Sequence, residues 1–174
     1  TNTLYRNDNG KFVDVTNETG VGQYGFSIGV CVADLNNDGW ADIYVANDFM
    51  LSDFMYINQK DGTFKNEVKH RTGHVPMFSM GVDIADVNND LLPDIYVADM
   101  ASEDHIRSKQ NMGSMDVESF WQNIRMGEHF QFMFNCLQLN STVGQFQEIA
   151  QLSGVAKTDW SWAPLIADFN NDGL

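Results

Sequence analysis

Residues 26–48 read FSIGVCVADLNNDGWADIYVAND, and residues 78–100 read FSMGVDIADVNNDLLPDIYVADM. Both place an Asx-rich loop between two apolar runs, and they align residue for residue. A third copy, WSWAPLIADFNNDG, begins at Trp160. The aspartates that open the three loops, Asp34, Asp86 and Asp168, stand 52 and then 82 residues apart. An unrelated landmark, Gly-x-Phe, recurs at Gly10/Phe12, Gly62/Phe64 and Gly144/Phe146 with the same two offsets. Two landmarks sharing one pair of offsets define a repeating unit of about 50 residues, with an insertion of about 30 in its second copy.

The elements inside one unit are short. Ser27 to Ala33 and Asp42 to Ala46 are rich in β-branched and aromatic residues and flank an Asn-Asn-Asp-Gly turn, the pattern of a hairpin. Met55 to Asn58 and Phe64 to Val68 follow, separated by the turn residues Gln59, Lys60, Asp61 and Gly62. Four strands in a unit of this length is the spacing of a β-propeller blade. The predicted fold is therefore all-β: four-stranded antiparallel blades with a small helical insertion. A β-solenoid is the main rival, with repeats that are usually shorter, and brief β-branched runs fit helix-pair repeats poorly.

On this reading residues 1–20 are outer strands of a preceding blade, 21–73 one blade, 74–155 a second blade interrupted at about 100–134, and 156–174 the start of a third. A closed propeller needs at least four blades, so the chain reads as a segment of a longer protein. The insertion holds Met100, Met112, Met115, Met126 and Met133, and Asp116 is placed to cap a helix from Val117 to Met126 that Gly127 ends. Packing against the blade is its expected role. A recognition surface is the alternative, because methionine adapts to varied partners.

The first loop puts oxygen-bearing side chains at positions 1, 3, 5 and 9, namely Asp34, Asn36, Asp38 and Asp42, with the Trp40 carbonyl at position 7. The second repeats this with Asp86, Asn88, Asp90 and Asp94 and the Leu92 carbonyl, and the third offers Asp168, Asn170 and Asp172. A hard cation wants six to eight oxygens, and a tight loop with alternate side chains turned inward supplies them. Calcium is the expected occupant; zinc would want His or Cys. An EF-hand shares these nine positions but carries Glu at position 12, where this chain has Val45 and Val97. Solvated hairpin turns also favour Asn, Asp and Gly. Three copies in one register, with carboxylates that would repel one another unless a cation sat between them, favour the metal. Leu91 stands where the first loop has Gly39, so weaker binding is expected there.

The repeats resemble FG-GAP or VCBS repeats, the blades of integrin-α-type propellers and of cartilage-acidic-protein-like proteins. The insertion followed by LQLN and TDWSWAPLIADFNNDG looks most like the large secreted VCBS-repeat proteins of Bacteroidetes. The resemblance implies calcium between the first two strands of a blade, an extracytoplasmic location, and a ligand-binding or adhesive role toward a protein or glycan. Ala163-Pro164, where the other copies have Gly-Val, departs from the pattern.

Composition limits the partners. With 24 Asp and Glu against 10 Lys and Arg, the net charge of −14 disfavours nucleic acid and anionic membranes. No apolar run is long enough to span a bilayer. Eight of the 24 acidic residues lie in the three loops, so much of the acidity reads as metal ligation. Cys31 and Cys136 allow at most one bridge, and whether they pair stays open. His70 and His74 are separated by Gly73 and do not form a helical zinc pair; His105 and His129 read as part of a charged surface. Phe26, Phe78 and Trp160 occupy equivalent positions, and packing between blades is their expected role. No nucleophile elbow, P-loop or dinucleotide fingerprint appears, and the chain is read as non-catalytic. The alternatives are a non-catalytic part of a propeller-based polysaccharide-active enzyme and a structural component of a surface assembly.

Overall fold

The Asx-rich loops close antiparallel hairpins. A computed structural model describes residues 2–49, 51–111 and 116–172. Met112 and Met115 of the insertion lie outside the described residues. The chain opens with the hairpin β1 (Tyr5–Asp8) and β2 (Lys11–Asp14), turned by Asn9 and Gly10 at φ 54° and 91°, the left-handed pair that a two-residue hairpin loop requires. The helical turn α1 (Thr16–Thr19) leads into the first four-stranded sheet: β3 (Ser27–Ala33), β4 (Asp42–Asn47), β5 (Phe54–Asn58) and β6 (Phe64–Asn66), antiparallel and in that order. β6 stops at Asn66, short of the expected Val68. The Asn66 side chain accepts the Val68 N–H, and Val68 turns into the core as the first residue of α2 (Val68–Arg71).

After the two-residue β7 (Val75–Pro76) comes a second sheet of the same design. β8 (Gly81–Ala85) and β9 (Asp94–Ala98) form its hairpin, and β11 (Cys136–Leu139) and β12 (Gln147–Glu148) complete it in the order β8-β9-β11-β12. The helical turn α5 (Ala150–Ser153) follows. The insertion enters between the second and third strands, where the first blade has only the link 48–53. It contains α3 (His105–Asn111), α4 (Val117–Arg125) and β10 (Gln131–Phe132), which pairs in parallel with β7. Asp116 caps α4 by accepting the Glu118 and Ser119 N–H groups, and Gly127 follows at φ 94°, as the sequence predicts. None of the described helices is long and apolar enough to cross a membrane.

The two sheets stack face to face, and strand alternation decides what each face meets. Tyr44 and Ala46 of β4 and Met55 and Ile57 of β5 pack on Ile95 and Val97 of the second blade. On the opposite face Val45, Phe54 and Tyr56 pack with Val21 and Leu4. The innermost strands come closest: a Cβ on Gly29 would stand 3.5 Å from the Gly81 Cα. One on Gly81 would lie 2.4 Å from the Trp162 carbonyl oxygen, so the third copy runs along β8 as β8 runs along β3. That segment is not assigned as a strand: Pro164 has no N–H for a ladder, and Ile166 N–H bonds to the Asp83 carboxylate at 2.6 Å instead.

Phe78 packs on Phe49 of the first blade and is buried at 7%, while Phe26 and Trp160 are 50% and 54% exposed. One expectation changes. His129 is not on a charged surface. It is buried against Thr72, and burial pushes its pKa down to about 4. Cys31 and Cys136 are both free thiols.

Candidate functional site

The first two carboxylate loops have the same internal bonding. In the first, Asp34 accepts the Asp38 N–H on one oxygen at 2.9 Å and the Gly39 N–H on the other at 2.7 Å; Asp38 accepts the Trp40 N–H at 3.0 Å. In the second, Asp86 accepts from Asp90 and Leu91 at 3.1 and 2.8 Å, and Asp90 from Leu92 at 2.9 Å. The ninth residue closes each loop, Asp42 accepting the Leu35 N–H and Asp94 the Val87 N–H, both at 2.9 Å. Asn36 and Asn88 sit between, each taking an N–H on the side-chain carbonyl and giving its amide to the aspartate two residues on. The third copy repeats the start, with Asp172 N–H shared by Asp168 and Asn170 at 3.2 and 3.3 Å.

This bonding needs a reversal of hand twice per loop. Asn37 and Gly39 adopt φ 56° and 86°; Asn89 and Leu91 adopt 59° and 69°; Asn171 adopts 56°. The left-handed asparagine is legible as the second Asn of each NND, a residue type that tolerates this region. Leu91 takes the strained conformation that its replacement of glycine implies.

Chemically the donor set suits a hard cation: carboxylate and amide oxygens, with a backbone carbonyl at Trp40 or Leu92. Each bonded carboxylate oxygen also keeps a second lone pair. Among the described residues, however, no three His, Cys, Asp or Glu side chains are already gathered as a metal group. Negative charge is crowded at position 9, where two backbone N–H donors offset it only in part. Asp42 and Asp94 are fully buried, and burial raises the pKa of each, with the charges of Asp34 and Asp38, or Asp86 and Asp90, adding to the rise. The first loop has one cation of its own, Lys60, whose ammonium lies 3.2 Å from Asp38. The second has none among the described residues.

Several residues around the loops escaped the sequence reading. Asn58, the last residue of β5, and Asn140, the residue after β11, donate their N–H to the second oxygen of Asp42 and Asp94, both at 2.8 Å. Each side-chain amide returns to its own loop, Asn58 to the Ala41 carbonyl and Asn140 to that of Pro93, and Asn140 also reaches across to the Leu35 carbonyl of the first loop. They stand 82 residues apart, the offset already in hand, so the repeat could have found them. A second matched pair lies at the other end of the strands. Asn47 N–H bonds Asp53 at 2.8 Å in the first blade, and Asp99 N–H bonds Asn135 at 2.7 Å in the second, with Asp and Asn exchanged between copies. Tyr44 and Tyr96, also equivalent, bond Asp53 and Asn135.

The bonding that the copies share is matched by a comparison with known families. No curated protein matches the chain. The FG-GAP-like repeat model matches residues 1–45 and again 37–97, so the first match runs through the first loop into β4 and the second runs from that loop to β9. Together the matches span more than half of the chain and contain both complete loops, and the chain belongs to the FG-GAP-like repeat family.

Proposed function

We propose that this chain is a calcium-stabilised propeller segment of a secreted or surface-displayed protein, with a non-catalytic role in binding another macromolecule. The reading rests above all on one observation: loops 52 residues apart in sequence build the same oxygen-rich turn with the same hydrogen bonds. An ion held by Asp34, Asn36, Asp38, Asp42 and the Trp40 carbonyl would offset the repulsion around position 9. The second loop would use Asp86, Asn88, Asp90, Asp94 and Leu92, and the third Asp168, Asn170 and Asp172. The metal's role is structural, tying each inner hairpin to the third strand through Asn58 or Asn140 and making stability depend on calcium concentration.

Thermal unfolding with excess calcium and with a chelator tests this. At a hundredfold excess over Kd, one site adds about 2.7 kcal/mol, and Asp34→Ala should remove the shift attributable to the first loop. An unchanged melting temperature on chelation, in the wild-type chain, would refute the calcium reading. The secreted location and the adhesive role extend the family resemblance.

A further inference from the structure

The insertion leaves the blade at Met100 and rejoins it at Met133, and both side chains pack on one cluster, Met77, Phe78 and Met80. Four of the chain's nine methionines thus meet at the two roots of the insertion. The blade itself does not call for sulfur there. At the repeat offsets of 52 and 82 residues, the first copy carries Gly25, Ile28, Asp48 and Leu51 in place of Met77, Met80, Met100 and Met133. Met77 and Met80 are buried, whereas Met100 and Met133 are half-buried and reach solvent.

The return segment 128–134 is held by a two-residue pairing of β10 with β7 and by side-chain bonds of Glu128, His129 and Gln131. The methionine cluster adds apolar packing at both roots at once. Helix α4 depends on the same segment: it has no buried residue, and its Phe120 stacks on Phe130 and Phe132 at 6.3 and 5.8 Å. What loosens the return segment therefore loosens α4.

The backbone donors around the cluster are already taken. The Met77 and Phe78 N–H groups go to one oxygen of Asp99 at 3.0 and 3.1 Å, the Met100 N–H to the other, and the Met80 N–H to the Ala98 carbonyl at 2.8 Å. A thioether needs no donor, but a sulfoxide oxygen buried without one costs at least about tenfold in the packing equilibrium. The two thiols compete poorly for an oxidant, because burial pushes the pKa of both Cys31 and Cys136 up and disfavours the reactive thiolate.

We propose that Met100 and Met133 form an oxidation site, at which conversion of the thioethers to sulfoxides by a peroxide releases the insertion from the blade. The sulfur loses two electrons and gains the S–O bond, while the peroxide O–O bond breaks and its other oxygen leaves as water. A thiol-dependent sulfoxide reductase reverses the step, two thiols becoming a disulfide as the oxygen departs as water. This role is independent of the calcium reading and goes beyond it.

Hydrogen peroxide treatment of the whole chain in calcium buffer, followed by mass mapping and hydrogen exchange, tests the proposal. Met126, the most exposed of the described methionines, should oxidise first and without effect, and Met55, fully buried between the strands, last. As Met100 and Met133 gain oxygen, amide exchange over residues 117–134 should rise at least about tenfold, while β4 and β5 keep their protection. Methionine sulfoxide reductase with dithiothreitol should reverse the rise. Met100→Leu with Met133→Leu, a swap of similar volume, should abolish it. Leucine in place of Met50, Met112, Met115 and Met126 should leave it unchanged. The proposal is overturned if Met100 and Met133 oxidise no faster than Met55, if their oxidation leaves exchange unchanged, or if the rise persists in the Met100→Leu, Met133→Leu chain. Should that chain be open before any oxidation, the wild-type time course decides: exchange that follows oxidation of Met126, and not of Met100 and Met133, overturns the proposal.

Discussion

At the scale of single residues, equivalent loop positions act as internal controls. Gly39 and Leu91 share a left-handed conformation, and a Cβ on Gly39 would meet nothing within 4 Å. The difference between them is therefore conformational: about 1–2 kcal/mol for a side chain in that region, less the larger entropy glycine loses on folding. Leu91→Gly should stabilise the chain by about 0.5–1 kcal/mol in chelator, read as a shift in the urea midpoint, and should tighten calcium binding at the second loop. No change in either quantity would mean that the Leu91 strain is compensated elsewhere. Lys60 offers a second control. Its ammonium would compete for Asp38 with the proposed cation, so Lys60→Gln should raise calcium affinity at the first loop by calorimetry, with the second loop unaffected. Lower affinity after the substitution would show that Lys60 helps to shape the loop.

At the scale of elements, glycines mark where one blade's inner strand lies on the next. Gly81→Ala would drive a Cβ to 2.4 Å from the Trp162 carbonyl and 2.8 Å from Pro164 Cδ, whereas Gly29→Ala meets Ala46 and Val82 side-chain atoms at 3.3 Å. Gly81→Ala should cost about 1–3 kcal/mol as overpacking against backbone. Gly29→Ala should cost clearly less in the same denaturant series, and equal costs would place the third copy elsewhere than along β8. The hairpins, the blade order and the capped α4 were legible in the sequence because each has a local chemical cause: β-branched alternation, an Asx-Gly turn, an aspartate cap. What was hidden depended on partners distant in sequence. Asn140 serves Asp94 from 46 residues away, His129 is buried by a segment 57 residues before it, and the third copy has strand-like residues without a ladder to join. Loop composition named the candidate oxygens, but composition alone does not gather carboxylates into a metal group.

At the scale of the whole molecule, the exchanged Asp and Asn at the junction of the blades make stability depend on pH. Burial pushes Asp53 up to about 7, although Asn47, Tyr44 and Ser79 all bond its carboxylate; burial likewise pushes Asp99 up to about 7, against N–H donors from Phe78, Met100 and Met77. Each charge raises the cost of a neighbour's, Asp99 for Asp53 and Asp48 for Asp99. The folded chain therefore holds two protons that the unfolded chain, with ordinary aspartates, releases near pH 4. Their stabilisation is complete below that pH and is lost as pH rises through 7. His129 opposes them: its folded pKa of about 4 lies below its ordinary 6.5, so its contribution is present above pH 6.5 and lost as pH falls toward 4. Between about pH 4.5 and 6.5 two protons are set against one. Among these three groups the balance is one proton in favour of the acid side, a slope of about 1.4 kcal/mol per pH unit. Asparagine already occupies the equivalent positions, Asn135 for Asp53 and Asn47 for Asp99, so Asp53→Asn with Asp99→Asn is a substitution the fold accommodates once in each blade. The double variant should lose the acid-side gain, and relative to wild type its urea midpoint should rise as pH goes from 5 to 8. Parallel pH profiles for the two chains would mean that Asp53 and Asp99 are ionised in the folded state, their hydrogen-bond donors outweighing burial.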